Sequence, residues 1–144
     1  MSNVLKITLQ PNPDFTLIAL ITSEPIYRLG YLLNESLHLE FKENKTLQIY
    51  HPKKQEVQEF SIFRHFKQEP LVNLELIQNK GKNGLLVEEQ KQVDYWLKFD
   101  TASQNASKIL NIIKAIKEIS LAFEVKPGSL KSKDRFIFTL DEDL

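Results

Sequence analysis

The sequence contains no cysteine, four glycines, one tryptophan and no long apolar run. Without cysteine there can be no disulfide framework, thiolate zinc site or cysteine nucleophile. With so few glycines, a phosphate-binding loop could lie only at Gly81-Lys82-Asn83-Gly84, and this pattern is more typical of a hairpin turn. The apolar run from Phe15 to Ile21 is too short to span a membrane, and it lacks the features of a secretory signal. We therefore predict a cytoplasmic protein without a membrane segment.

An excess charge of either sign is also absent, because 19 Lys and Arg residues balance 19 Asp and Glu residues. Nucleic-acid binders usually carry a basic excess, since phosphate neutralisation supplies most of their affinity. The balance therefore argues against DNA or RNA as the partner. Hydrophobic residues make up 42% of the chain, including nine phenylalanines. This composition and the length predict a single domain over residues 1–144 with a true core.

Two segments have the apolar periodicity of helices, at about 24–36 and about 104–123. Ser23 can cap the first helix, and Gly30 inside it predicts a close approach of another group to the backbone. Thr101 or Ser103 can cap the second. Elsewhere apolar residues alternate with period two, which predicts strands at 5–9, 37–41, 47–49, 71–77, 93–99 and 136–140. Residues 15–21 and 60–66 are further strands. We predict an α+β domain with two layers, in which a mostly antiparallel sheet carries both helices on one face.

The segment from Val87 to Tyr95 places three carboxylates and a tyrosine between two apolar runs. It resembles the motif that names the IPExxxVDY family of small bacterial proteins. Val87 stands for the isoleucine, Glu89 for the glutamate, and Val93-Asp94-Tyr95 match directly, whereas Glu88 replaces the proline. Further similar stretches are Tyr27-Arg28-Leu29, Leu33-Asn34 and Leu130-Lys131-Ser132-Lys133.

This resemblance implies a small bacterial cytoplasmic domain of unknown role, with no catalytic residues that could be transferred to this chain. The proline that the family has at position 88 would force a strand end or a bend. Glu88 removes that constraint, which favours a structural role for the segment over a rigid active-site turn.

Glu88, Glu89 and Asp94 could bind a hard cation or perform acid–base chemistry if they converge in a pocket with a histidine. The alternative is a solvated hairpin tip, in which Asp94 bonds to backbone groups. The spacing of His38, His51 and His65 matches no metal motif, and no cofactor motif occurs. We therefore predict neither a metal site nor a cofactor, and an enzymatic or small-molecule site around Glu89 and Asp94 is the alternative function.

The stretch from Lys126 to Arg135 is locally basic and precedes Phe136 and Phe138. Cations next to aromatic rings are typical of proteins that bind single-stranded nucleic acid. The alternative is a solvated surface with both phenylalanines in the core, and the acidic residues 141–143 that follow would repel phosphate. Single-strand binding is therefore a second, less favoured alternative.

The function that the sequence favours is a non-enzymatic domain that binds another protein or itself. Tyr27, Tyr31, Tyr95 and Trp96 are candidates for an exposed contact patch, because Tyr and Trp dominate interface hot spots. A homodimer formed through an edge strand or a helix face is the simplest version. The candidate binding residues are Glu89, Asp94, Tyr95, Trp96, Tyr27 and Arg28.

Overall fold

The computed structural model describes residues 14–102, 104–138 and 140. These residues form two α-helices, α1 (Ile26–Leu37) and α2 (Ala106–Lys114), and two short 3-10 helices, Pro127–Ser129 and Lys133–Phe136. Their ten strands are β1 (Phe15–Ile21), β2 (Lys42–Glu43), β3 (Leu47–His51), β4 (Glu56–Phe60), β5 (Ile62–Lys67), β6 (Val72–Gln78), β7 (Lys80–Gly81), β8 (Gly84–Leu85), β9 (Tyr95–Asp100) and β10 (Leu121–Val125). The strand predicted at 5–9 lies outside the described residues.

Six strands form one antiparallel sheet in the order β10-β1-β9-β6-β5-β2. β1 lies between two neighbours and is buried along nearly its whole length, because both of its faces are covered. Two smaller antiparallel pairs, β3–β4 and β7–β8, stand apart from this sheet. The β7–β8 pair turns at Lys82-Asn83, which confirms the hairpin predicted from the two flanking glycines. The predicted α+β class with a mostly antiparallel sheet is likewise confirmed.

Both helices pack on the same face of the sheet, as predicted. Leu29 and Leu33 of α1 join Ile109 and Ile113 of α2 in one apolar cluster with the sheet. Gly30 is buried in α1, and a Cβ atom there would lie 3.2 Å from the Phe63 ring. This contact confirms the close approach that the glycine predicted. The predicted cap is wrong, because Pro25 rather than Ser23 precedes the first turn, without a side-chain hydrogen bond.

The second helix is shorter than the sequence indicates. Asn105 caps α2 by accepting a hydrogen bond from the Lys108 N–H, so the helix begins after this residue and not near Thr101. It ends at Lys114, and the chain then forms a loop and enters β10 at Leu121. Apolar periodicity continues past the helix end because the loop and the strand bury side chains in the same core layer.

The second face of the sheet is covered by the β3–β4 hairpin, the loop between β8 and β9, and residues 130–138 with Leu140, which we call the C-terminal segment. The rings of Trp96 and Phe136 meet edge to face at this contact, with 5.6 Å between their centroids. The strand predicted at 136–140 is wrong, because Phe136 ends a 3-10 helix and the described residues that follow pair with no strand. Phe136 and Leu140 are nevertheless buried and Ile137 is exposed. The alternation of apolar residues therefore reflects how the described residues of the segment pack on the core, without β-sheet hydrogen bonds.

Candidate functional site

The segment that resembles the family motif forms a loop over the second face of the sheet. We call residues 86–94 the motif loop. Val87 and Val93 are buried near its two ends, and Glu88 and Glu89 between them are exposed. The N–H of Gln90 donates to the Val87 carbonyl at 3.1 Å, and the N–H of Val93 donates to the Gln90 carbonyl at 3.2 Å. The loop is therefore two tight turns anchored by two valines.

Asn79 lies outside the motif, and its side chain binds the backbone of the motif loop through hydrogen bonds. Its Oδ1 accepts hydrogen bonds from the Val87 N–H and the Trp96 Nε1–H, both at 2.9 Å. Its Nδ2 donates to the carbonyls of Gln90 at 3.1 Å and Val93 at 2.8 Å. The side chain is fully buried, so it supplies partners to backbone groups that water cannot reach. Sequence reasoning missed Asn79, whose only signal is a polar residue directly after an apolar strand.

Asp94 joins the motif loop to the segment between β1 and α1. One carboxylate oxygen accepts a hydrogen bond from the Thr22 N–H at 3.0 Å. The other lies 2.8 Å from the ammonium group of Lys80. Asp94 therefore bonds to a backbone group, which is the structural alternative that the sequence left open.

Glu88 and Glu89 point to two other segments of the chain. Glu88 lies 3.2 Å from Nε2 of His51, the last residue of β3. Glu89 accepts hydrogen bonds from the backbone N–H of Ser132 at 3.0 Å and from its hydroxyl at 2.8 Å. The three carboxylates thus diverge, and the described part of the chain contains no group of three or more metal-ligating side chains that could hold a cation.

The hydrogen bonds at Glu89 affect its ionisation. Partial burial pushes its pKa upward, but hydrogen bonds from its own N–H, from Ser132 and from the backbone of Lys131 outweigh burial. The net effect holds the pKa of Glu89 below its usual value, because the donors stabilise the carboxylate. An ionised Glu89 is suited to fastening the C-terminal segment to the motif loop at Ser132.

Tyr95 and Trp96 do not form an exposed patch, and this prediction is wrong. Both start β9, which is covered on its two faces, so consecutive side chains are buried on opposite sides. The Tyr95 hydroxyl donates to the Glu24 carbonyl at 2.7 Å. Burial raises the pKa of Tyr95, and the charges of Asp94 and Glu24 raise it further. Both aromatic residues belong to the core.

Arg135 does not contribute to a free basic surface. Its Nη1 donates to the carbonyls of Leu85 and Leu86, both at 2.8 Å, and its Nη2 donates to Oε1 of the buried Gln58. The guanidinium group also lies 5.5 Å from the centre of the Phe60 ring. Arg135 therefore fastens the C-terminal segment to β8 and the motif loop. Its guanidinium group is not available to bind nucleic acid as part of the predicted basic stretch.

The three histidines lie on different elements. His38 follows α1 in a left-handed conformation, His51 ends β3, and His65 is buried in β5. Nδ1 of His65 accepts a hydrogen bond from the Glu40 N–H at 2.9 Å, which places the ring proton on Nε2. Burial lowers the pKa of His65, and the nearby charge of Lys67 lowers it further. His65 is therefore a neutral core residue.

A second polar cluster, also missed by sequence reasoning, lies on the second face of the sheet. Lys98 of β9 sits between the rings of Phe15 and Phe138, at 5.0 and 4.4 Å from their centres. Its ammonium group lies 3.4 Å from the buried carboxylate of Glu75 and donates to the Phe136 carbonyl. Glu75 and Lys98 border a cavity of about 160 Å³ with room for a few water molecules. Because Lys98 bonds to the C-terminal segment, the cluster has a structural role.

The remaining candidates, Tyr27 and Arg28, lie on the outer surface of α1. Tyr27 is 70% exposed, and Tyr31 one turn later is 53% exposed. The guanidinium group of Arg28 lies 5.3 Å from the centre of the Tyr31 ring and 3.7 Å from the carboxylate of Glu118. We call Tyr27, Arg28 and Tyr31 the α1 patch. Among the candidates from the sequence, Tyr27 and Tyr31 are the aromatic residues that the fold exposes to solvent, with Arg28 beside them.

No helix in the described part of the chain is long and apolar enough to cross a membrane. Comparison of the sequence with models of known protein families and with curated proteins found no match.

Proposed function

We propose that the protein is a non-enzymatic, cytoplasmic binding domain that recognises another protein through the α1 patch. The observation that carries this proposal is the exposure of Tyr27 and Tyr31 on one face of α1, one helical turn apart. Tyrosine and arginine are enriched among the residues that dominate binding energy in protein interfaces. A tyrosine ring loses little conformational entropy on binding, because it rotates about two bonds only.

The position of Arg28 supports the same role. Its side chain is held on one side by the Tyr31 ring and on the other by the Glu118 carboxylate. Such contacts restrict the rotamers of Arg28 and Tyr31 before a partner arrives, which reduces the entropy lost on association. The α1 patch is therefore partly ordered in the free protein.

The carboxylates of the motif loop bond to different segments of the chain, and this supports a binding function over catalysis. Asp94 bonds to Thr22 and Lys80, whereas Glu89 bonds to Ser132. Chemistry at Glu89 and Asp94 would need these groups to converge within hydrogen-bond reach of a reacting atom. Binding of single-stranded nucleic acid is also disfavoured, because Arg135 bonds to backbone carbonyls inside the protein.

Membership of the IPExxxVDY family stays a prediction. The matching positions have structural roles in this chain, because Val87 and Val93 anchor the motif loop and Asp94 fastens it. The resemblance carries no activity, which is consistent with a domain that acts by binding.

The test is an affinity capture from an extract of the cells that make the protein. The variant Tyr27→Ser/Tyr31→Ser removes both exposed rings, and Tyr50→Ser removes a ring that is 57% exposed on the β3–β4 hairpin. We expect the wild type and Tyr50→Ser to retain the same partner, and the double variant to lose it by at least about tenfold in affinity. Equal capture by all three proteins, or capture by none, would contradict the proposal. Thermal unfolding should stay nearly unchanged, because these side chains are exposed.

A further inference from the structure

We propose that the protein also self-associates, by pairing β10 of one copy with β10 of a second copy across a two-fold axis. The main sheet has two edges of different character. The β2 edge consists of Lys42 and Glu43, which are exposed and charged, and such short charged edges resist pairing. β10 is a five-residue edge, and within the described part of the chain it pairs with β1 alone.

The outer edge of β10 offers backbone groups to a further strand. In an antiparallel ladder, alternate residues bond to the neighbour on one side. The remaining residues of Leu121–Val125 therefore direct their N–H and C=O groups away from β1, and no described residue bonds to them there. Addition of a strand at such an edge is a common mode of recognition.

When β10 pairs with β10 of a second copy, one register brings complementary side chains opposite each other. With the axis at Phe123, Leu121 lies opposite Val125 of the second copy, and Phe123 lies opposite Phe123. Because successive residues alternate between faces, these three share one face and form a continuous apolar stripe across the seam. Leu121 is 53% exposed in the free protein, and Phe123 and Val125 are half-buried, so pairing covers apolar surface.

Charge and strand length favour the same register. With the axis at Phe123, Glu124 lies opposite Ala122, and its carboxylate is already 3.3 Å from the Lys126 ammonium group. An axis at Glu124 would place two glutamates opposite each other, and like charges in that position are destabilising. An axis at Ala122 would leave Val125 opposite Ile119, which lies outside the strand. The axis at Phe123 alone pairs all five residues, and this self-complementarity identifies the partner as a second copy.

This proposal extends the proposed binding function but rests on different residues, so the two can fail separately. The first measurement is solution mass by light scattering over a concentration series. We expect a monomer–dimer equilibrium in the wild type, and a dissociation constant raised about tenfold or more in Leu121→Lys. Leu71→Lys is the matched control, because Leu71 is exposed on the turn between β5 and β6. Tyr27→Ser/Tyr31→Ser should dimerise like the wild type.

The register is tested by cross-linking, because the wild-type chain contains no cysteine. Under mild oxidation Phe123→Cys should form a disulfide-linked dimer, since residue 123 faces itself at the axis. Leu121→Cys should not, because its two copies lie roughly 13 Å apart along the seam, beyond the reach of a disulfide. Circular dichroism confirms that each variant is folded.

Three results would overturn the proposal: a monomer at every concentration, a dimer insensitive to Leu121→Lys, or preferential cross-linking of Leu121→Cys. A monomer in which all β10 amides are protected from hydrogen exchange would show that another segment of the same chain covers the edge. That outcome also overturns the proposal. The Leu121→Lys result decides the question even if Phe123→Cys does not fold.

Discussion

The indole Nε1 of Trp96 donates a hydrogen bond to Oδ1 of Asn79 at 2.9 Å, in a site closed to solvent. The same oxygen also accepts the Val87 N–H. One amide group thus links the first turn of the motif loop to the strand that follows the loop. The motif that stands out in the sequence is positioned by a residue outside it.

Asn79→Ala should lower the free energy of unfolding by about 2–4 kcal/mol, because it leaves buried backbone and indole groups without partners. Urea unfolding measures the effect. Asn111→Ala is the control, since Asn111 is exposed on α2 and its replacement should change stability by less than about 0.5 kcal/mol. A similar small loss at both positions would show that the motif loop does not depend on Asn79.

Stability should fall with pH below about 6.5 because of His65, whose pKa is lowered by burial and by Lys67. Between this value and the lower pKa of the folded protein, residue 65 binds more protons in the unfolded chain than in the folded one. The unfolded state is therefore favoured as pH falls, by at most about 1.4 kcal/mol per pH unit from this one group. Above the unfolded pKa the contribution of His65 to stability is fully present.

His65→Asn isolates this contribution, because an asparagine oxygen can accept the Glu40 N–H and does not titrate. Urea unfolding between pH 5 and 7, a range chosen around the usual histidine pKa, should show a shallower decline for the variant. Parallel curves for the two proteins would contradict the assignment.

Gly81→Ala should destabilise the protein by about 2–3 kcal/mol. An added Cβ would collide with the Glu59 carbonyl oxygen and lie 2.6 Å from the Phe60 ring. Gly128→Ala is the matched control, because no atom lies within 4 Å of the added Cβ. It should be neutral or stabilising by up to about 1 kcal/mol, since alanine restricts the unfolded chain. Thermal unfolding of both variants gives the comparison, and equal losses would argue against close packing at Gly81.

Arg135→Met should lower the free energy of unfolding by about 2–4 kcal/mol, because the carbonyls of Leu85 and Leu86 lose their donor. Lys131→Met removes an exposed basic neighbour and should change stability by less than about 0.5 kcal/mol. Denaturant unfolding distinguishes them. If both variants are as stable as the wild type, Arg135 does not fasten the C-terminal segment.

The fold class was predictable from the sequence, because short apolar or alternating runs mark the strands and an apolar stripe marks the buried face of α1. It failed at the end of α2. Ile116, Ile119 and Ala122 keep facing the same core layer while the chain passes from helix to loop to strand. Periodicity reports which residues are buried, and a loop followed by a strand can bury the same residues as a continuous helix. The error at 136–140 has the same cause.

The candidate site was only partly predictable. The segment from Val87 to Tyr95 is conspicuous in the sequence, but the partners of its carboxylates come from distant segments. Thr22 is 72 residues from Asp94, His51 is 37 from Glu88, and Ser132 is 43 from Glu89. Only the folded chain determines which donors meet each carboxylate. The sequence therefore cannot show whether the three carboxylates converge on one site or point to different segments. The exposure of the α1 patch was predictable in part, since Tyr27 and Tyr31 lie off the apolar stripe of α1.

The packing of the C-terminal segment against Trp96 has a consequence for biosynthesis. All ten described strands precede this segment in the chain, so the ribosome produces the whole main sheet before it produces the cover of the second face. Until Phe136 emerges, one side of Trp96 and the ammonium group of Lys98 lack their final contacts. The apolar surface around Trp96 therefore stays uncovered until this segment has been made, so the packing that closes the second face can only follow its synthesis.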